Sequence, residues 1–222
     1  DPNGKITEYR YNGVGSLEQI RDAEGNRKYF YYNNNQKLIS IVDEQGNTTS
    51  FEYDPMNRLV RIIDPNQSTV QYQYDQKGNL IAVTDPNGNT TRYQYDPLGR
   101  LVKEIDPLNQ IRTFTRDPRG LIIEARNKNG RITSYEYDKL QRLVKVTDPL
   151  NGEYRYTYDA VGNLLSKTDA NGVVTTFQYD ALNRLISEKD ALGNETKYQY
   201  NHLGLVTLKT DALNKKTHYQ YD

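Results

Sequence analysis

Every 21 residues the chain repeats one order of apolar and polar positions. The mark of each repeat is Asp1, Asp22, Asp43, Asp64, Asp85, Asp106, Asn127, Asp148, Asp169, Asp190 and Asp211, with no insertion between them. With that residue as position 0, position 8 is aromatic in all eleven copies: Tyr9, Phe30, Phe51, Tyr72, Tyr93, Phe114, Tyr135, Tyr156, Phe177, Tyr198 and Tyr219. Position 10 is Tyr11, Tyr32, Tyr53, Tyr74, Tyr95, Tyr137, Tyr158, Tyr179, Tyr200 and Tyr221, with Arg116 as the one exception. Alternate side chains of a strand face the same way, so these two columns share a surface. The polar residues around them, as in TTRYQY from Thr90 to Tyr95, take the other. A helix would scatter them.

Six residues after the Tyr comes a second apolar signal. Position 16 is always aliphatic, from Leu17 to Val206, and position 17 is aliphatic in eight of ten copies. This predicts a second strand, apolar on both faces at that point, in a sheet that curves back or meets a neighbouring turn.

Between the strands lie two turns with a mechanism of their own. All eight prolines follow an Asp at position 1 or 12, where the ring presets φ for the first central turn residue and the Asp side chain bonds its own backbone two residues on. Position 14 is Gly six times and position 3 seven times, with Asn in most other copies, as the left-handed residue of a type I turn with a G1 bulge requires.

The fold class that follows is all-β: tandem antiparallel β-hairpin repeats, about 21 strands, forming a coiled β-strip, spiral or open shell. Residues 1–222 read as a single array of ten repeats and half of an eleventh. A chain that opens without Met and stops at Tyr221-Asp222 reads as a piece of a longer one, and its open sheet edges predict end-to-end self-association. Above the 21-residue period lies one of 42: Arg58, Arg100, Arg142 and Arg184 at position 15, and Gly78, Gly120, Gly162 and Gly204 at position 14 of the alternate repeats. Either a two-repeat block was duplicated or hairpin geometry alternates. The turns at Gly99 and Gly120 distinguish the two.

Composition narrows the function. Leu, Ile, Val and Phe number only 49 of 222 residues, thin for a compact core, while Tyr numbers 20. Twenty-nine basic residues balance 29 acidic ones, so no net field points to nucleic acid, and no apolar stretch is long enough for a signal peptide or membrane insertion. There is no cysteine, hence no disulfide or thiolate metal site.

The segments YDPLGRL (Tyr95 to Leu101), YDPMNRL (Tyr53 to Leu59), YDKLQRL (Tyr137 to Leu143), YDAVGNL (Tyr158 to Leu164) and YDALNRL (Tyr179 to Leu185) carry a resemblance to the Rhs or YD-repeat family. The resemblance covers the whole chain. It implies a β-strand spiral that, in bacterial polymorphic toxins and insecticidal toxin complexes, closes into a hollow shell around a toxic C-terminal polypeptide, with related shells in the adhesive teneurins. It also implies a secreted or cell-surface parent protein, whose remaining chain and enclosed toxin domain are the partners. The family's self-cleaving aspartates belong to a later segment, and the turn aspartates here do not match it.

Candidate chemistry is sparse. His202 and His218 lie 16 residues apart with no fixed carboxylate spacing, so neither a metal nor a general-base role is assigned, and no nucleophile or phosphate-loop pattern is present. DPNGNT at Asp85 resembles the start of a calcium loop but lacks its closing Glu, so Asx-turn capping is the better account. No cofactor is expected. Asn47, Asn66, Asn89 and Asn194 head Asn-x-Thr/Ser triplets, to which no function is attached. The 21 aromatics of positions 8 and 10 read as a structural ladder, and the chain as a non-enzymatic scaffold. The rival reading is an adhesion module whose exposed Tyr, such as Tyr93 and Tyr95, stack on a glycan.

Overall fold

The computed structural model describes residues 6–221; the turn begun by Asp1, and Asp222, lie outside the described residues. The chain divides into two compact halves, Asp1–Ile111 and Arg112–Asp222.

In the first half β1 (Glu8–Tyr11), β2 (Leu17–Arg21), β3 (Arg27–Tyr32), β4 (Leu38–Val42), β5 (Thr48–Tyr53), β6 (Leu59–Ile63), β7 (Thr69–Tyr74), β8 (Leu80–Thr84), β9 (Thr90–Tyr95) and β10 (Leu101–Ile105) form an antiparallel meander. The second half repeats it with β11 (Ile111–Arg116), β12 (Ile122–Arg126), β13 (Ile132–Tyr137), β14 (Leu143–Thr147), β15 (Glu153–Tyr158), β16 (Leu164–Thr168), β17 (Val174–Tyr179), β18 (Leu185–Lys189), β19 (Glu195–Tyr200), β20 (Val206–Thr210) and β21 (Lys216–His218). Among the described residues, a strand in each half touches only its sequence neighbours. Such an array holds itself by nearest-neighbour pairing, not by a shared core. Among the described residues only Ala82, Asp106 and Ser187 are buried.

The hairpin inside each repeat differs from the one joining repeats. Gln73 pairs with Ala82 but Tyr74 pairs with Leu80, so Ile81 is passed over, and the same slip recurs in every repeat. This is a β-bulge at positions 16 to 18, which bends the strand and tightens its twist. The joining hairpins, such as Ala82 with Arg92 and Thr84 with Thr90, keep a constant register. Adjacent aliphatics at positions 16 and 17 therefore mark the bulge, where alternation breaks, and do not require a strand covered on both faces.

The turns form as their residues dictate. Asp85 N–H donates to Asn89 O at 2.9 Å and Gly88 N–H to Asp85 O at 3.0 Å, and the same two bonds close all twenty described turns. The residue three past the Asp or Asn has φ between +58° and +104° in every one of them. Gln36, Gln67 and Gln141 hold this left-handed position as well as Gly and Asn, which the turn rules had not anticipated. Gly99 (φ +76°) and Gly120 (φ +97°) share one conformation and one bonding pattern, so hairpin geometry does not alternate between repeats.

Candidate functional site

The regular features of the array are three side-chain devices. The first is the turn acid. One carboxylate oxygen of Asp85 accepts the N–H groups of Asn87 and Asn89, each at 2.9 Å, while the other accepts from the Asn89 amide at 2.9 Å. This is the Asx capping expected in place of a calcium loop, and Asn12, Asn33, Asn127 and Asn201 cap their turns with a side-chain carbonyl in the same way. Hydrogen bonding holds these carboxyls below the usual carboxylate range. The largest cause is the Asn side chain four residues on at Asp22, Asp43, Asp75, Asp85 and Asp190, and the backbone N–H of the following Arg at Asp54, Asp96 and Asp138. Asn47, Asn89 and Asn194, which head three of the Asn-x-Thr triplets, spend their amides on these turns.

The second device explains why position 10 is Tyr and never Phe. The hydroxyls of Tyr32, Tyr53, Tyr74, Tyr95, Tyr137, Tyr158, Tyr200 and Tyr221 each donate to the carbonyl of the residue 15 places earlier, from Leu17 O to Val206 O, at 2.7 to 3.0 Å. That carbonyl lies at the bulge of the preceding repeat, where ladder bonding is interrupted. Each Tyr thus ties its repeat to the one before. Desolvation pushes the hydroxyls of Tyr53, Tyr95, Tyr137, Tyr158, Tyr179 and Tyr200 above the ordinary tyrosine value. Position 8 makes no such demand, and all four Phe occur there. In place of Tyr, Arg116 donates to Gly120 O within its own turn at 2.9 Å.

The third device accounts for the 42-residue period. Arg58 binds the Asp54 carboxylate at 2.6 Å, lies over the Tyr74 ring at 4.8 Å and donates to Asp75 O of the next repeat at 3.0 Å. Arg142 and Arg184 repeat all three contacts, over Tyr158 and Tyr200. Arg100 keeps the bond to Asp96 at 2.6 Å. The alternation lies in side-chain stapling, not in the backbone.

The ladder residues are half-buried from Phe30 to Tyr200, with polar partners between them exposed as in Gln71 and Gln73 of β7, so positions 8 and 10 do share a face. Tyr9 and Tyr11 in β1, and Tyr219 and Tyr221 after β21, are exposed. Both histidines are exposed too, His202 at a turn and His218 at the end of β21. Among the described residues no three His, Cys, Asp or Glu gather as a metal site would need, and no helix is long and apolar enough to cross a membrane.

Several cavities border tyrosines. One of about 570 Å³ is lined by Lys77, Asn79, Ile81, Tyr93 and Tyr95 among others. Another, of about 380 Å³, involves tyrosines off the ladder: Tyr29 and Tyr31, on the polar face of β3, with Arg10, Glu18, Gln19 and Arg27.

Comparison with known proteins gives one consistent result. The RHS Repeat family model matches residues 32–70, 57–86, 74–111, 116–153, 158–195 and 179–212. No curated protein sequence matches. Among solved structures, the chain is similar to a crystal structure of TcdB2-TccC3-TEV, with 16% identity and a TM-score of 0.67 over 96% of this chain and 15% of that one. It is also similar to TcdB2-TccC3 without its hypervariable C-terminal region, with 15% identity and a TM-score of 0.59 over 100% and 16%. A third likeness is to the Tc holotoxin pore of Photorhabdus luminescens, with 16% identity and a TM-score of 0.57 over 96% and 18%. At such identity the likeness is one of fold, and the chain spans less than a fifth of each of these solved chains.

Proposed function

Because the chain belongs to the RHS repeat family, we propose that it is a structural scaffold, a wall that encloses or displays another part of an exported parent protein and carries no chemistry of its own. The observation that supports this is the incomplete burial of the ladder face. Twenty-one aromatics and a row of aliphatics lie on it, yet none is buried among the described residues. A sheet that leaves so much apolar surface half-wet gains from a further layer, at roughly 25 cal/mol for each Å² covered. The remainder of the parent chain, a toxin domain in the related assemblies, is the occupant this reading names. On it the Tyr and Arg devices are joints between repeats, and the ladder is structural.

Two measurements test it. Arrays shortened by whole repeats should lose stability stepwise, as nearest-neighbour coupling demands; unfolding indifferent to repeat number would contradict a scaffold. In the parent protein, the segment flanking the array should resist protease only while the array is intact. Equal digestion with and without the array would remove the enclosing role.

A second reading, a glycan-binding module, is favoured by the cavity beside Tyr93 and Tyr95. Its cost is that the Tyr95 hydroxyl is already given to Leu80 O. Glycan binding abolished by Tyr93→Ala and Tyr95→Ala would support it, and silence across neutral and charged glycans would end it.

A further inference from the structure

Of the 24 aromatic residues, three lie outside positions 8 and 10: Tyr29, Tyr31 and Tyr154. Tyr154, at position 6, lines a cavity together with the ladder residue Tyr156. Tyr29 and Tyr31 occupy positions 7 and 9, whose counterparts elsewhere are polar or charged, such as Ser50 and Glu52, Gln71 and Gln73, or Thr176 and Gln178. They interrupt the wet face with aromatic surface, and Tyr31 is 50% exposed. Polar residues fill these two positions in the other repeats without loss of the strand.

Their neighbours are laid out by register. Arg10 of β1 pairs with Gln19 of β2, and Gln19 with Tyr29 of β3, so guanidinium, carboxamide and phenol form one row across three strands about 4.8 Å apart. Arg27 and Tyr31 flank Tyr29 on the same face, each about 6.8 Å along the strand. Glu18 meets Arg10 at 3.6 Å, with the arginine side chain 75% exposed. All of these line the shallow cavity of about 380 Å³, whose charged residues are two arginines and one glutamate.

We propose that this patch on the polar face of β1 to β3 is a binding site for an acidic sugar of the uronate class, stacked on Tyr31 and held by Arg10, Gln19 and Arg27. A pyranose ring offers one face of C–H groups to an aromatic ring and polar groups at its rim. A guanidinium binds a carboxylate with two parallel N–H donors, and a carboxamide serves hydroxyls as donor or acceptor. An acidic peptide would satisfy the arginines but leave the exposed face of Tyr31 without a matching ring. The inference rests on the second reading, that the module meets glycans, and moves the contact from the ladder to the opposite face.

The test is calorimetric titration of the full chain with a galacturonate tetrasaccharide, its methyl ester and a poly-glutamate peptide. The free acid should bind, more weakly as salt is added. The ester, and the variants Tyr31→Ala and Arg10→Gln with Arg27→Gln, should each bind about tenfold more weakly or less. Tyr31→Phe keeps the ring and should retain binding, and Tyr93→Ala with Tyr95→Ala should leave it unchanged. No binding of the acid, equal binding of the ester, or equal binding of the peptide overturns the proposal. Loss with the Tyr93 and Tyr95 changes but not with Tyr31→Ala also overturns it, and leaves the second reading standing.

Discussion

On the ladder face, one column separates the two halves. Opposite the aromatics of position 8 the first half sets Ile20, Ile41, Ile62 and Val83, before Glu104 faces Tyr93. The second half sets Ala125 and Val146, then Lys167, Glu188 and Lys209, against Phe114, Tyr135, Tyr156, Phe177 and Tyr198. The register is the same in both. Lys167 lies over the Phe177 ring at 5.3 Å and 3.9 Å from Glu188, so charge is accommodated on an aromatic face by pairing with ring and neighbour. The contrast teaches that pairing is secured by turns, bulge and Tyr hydroxyl, while this column is free to set what the face presents.

If so, the shared devices should fail in both halves at once, and acid is the harshest way to see it. Each half has eight turn aspartates whose N–H and C=O close a turn. Those held below the usual carboxylate range stabilise the fold only while ionised. Their contribution is whole above the unfolded value of about 3.9 and drains away as pH falls through the lower folded values. Hydrogen exchange followed from pH 6 to pH 2 should show β1 to β10 and β11 to β21 losing protection together. One half surviving alone would mean that the column, not the turns, governs stability.

Exchange across the divided column comes next in size. Ile62→Lys sets a charge between Phe51 and Val70, in a column whose next members are Ile41 and Val83. It should cost about 1–2 kcal/mol, from lost half-burial and a poor cross-strand pair. Lys167→Ile in the second half should change stability by no more than about 0.5 kcal/mol. Urea unfolding reads both, and equal losses would erase the distinction between the halves.

Smaller still is the hydroxyl bond common to both. Tyr53→Phe and Tyr137→Phe remove the donors to Leu38 O and Ile122 O, and each should cost about 0.5–1.5 kcal/mol. Tyr72→Phe, at position 8, should cost no more than a few tenths, since Phe30, Phe51, Phe114 and Phe177 already serve there. A loss at Tyr72 as large as at Tyr53 would mean that ring packing, not the hydroxyl, selects Tyr.

Strands, turns and the shared face of positions 8 and 10 were legible because each rests on local rules: side-chain alternation, left-handed turn residues, Asp capping. What escaped depends on how the strands pair and on contacts 15 to 17 residues apart. The bulge was visible only as two adjacent aliphatics, which a doubly covered strand explains equally well. The exclusion of Phe from position 10 was a signal for a hydroxyl bond, and the recurrence of Arg after the turn a signal for a staple, but neither names its acceptor until the next repeat lies alongside. Gln36, Gln67 and Gln141 show that a left-handed turn position can be held by a residue outside the usual preference when two backbone bonds enclose it. Tyr29 and Tyr31 were hidden by the regularity of the columns beside them.

The finest test of the contrast is the ion pair that makes charge tolerable on the second half's ladder face. Lys167 and Glu188 are 49% and 40% exposed, so their attraction is screened and should be worth about 0–0.5 kcal/mol. Phe177→Leu keeps the ion pair and an apolar side chain but takes the ring from beneath Lys167. If the ring contact matters, Lys167→Met should cost a few tenths of a kcal/mol more in the parent than in the Phe177→Leu background at high salt, where the ion pair contributes least. The same cost in both backgrounds at every salt concentration would mean the ring contributes nothing, and that Lys167 is tolerated simply because a long side chain can carry its charge to water from a half-open face.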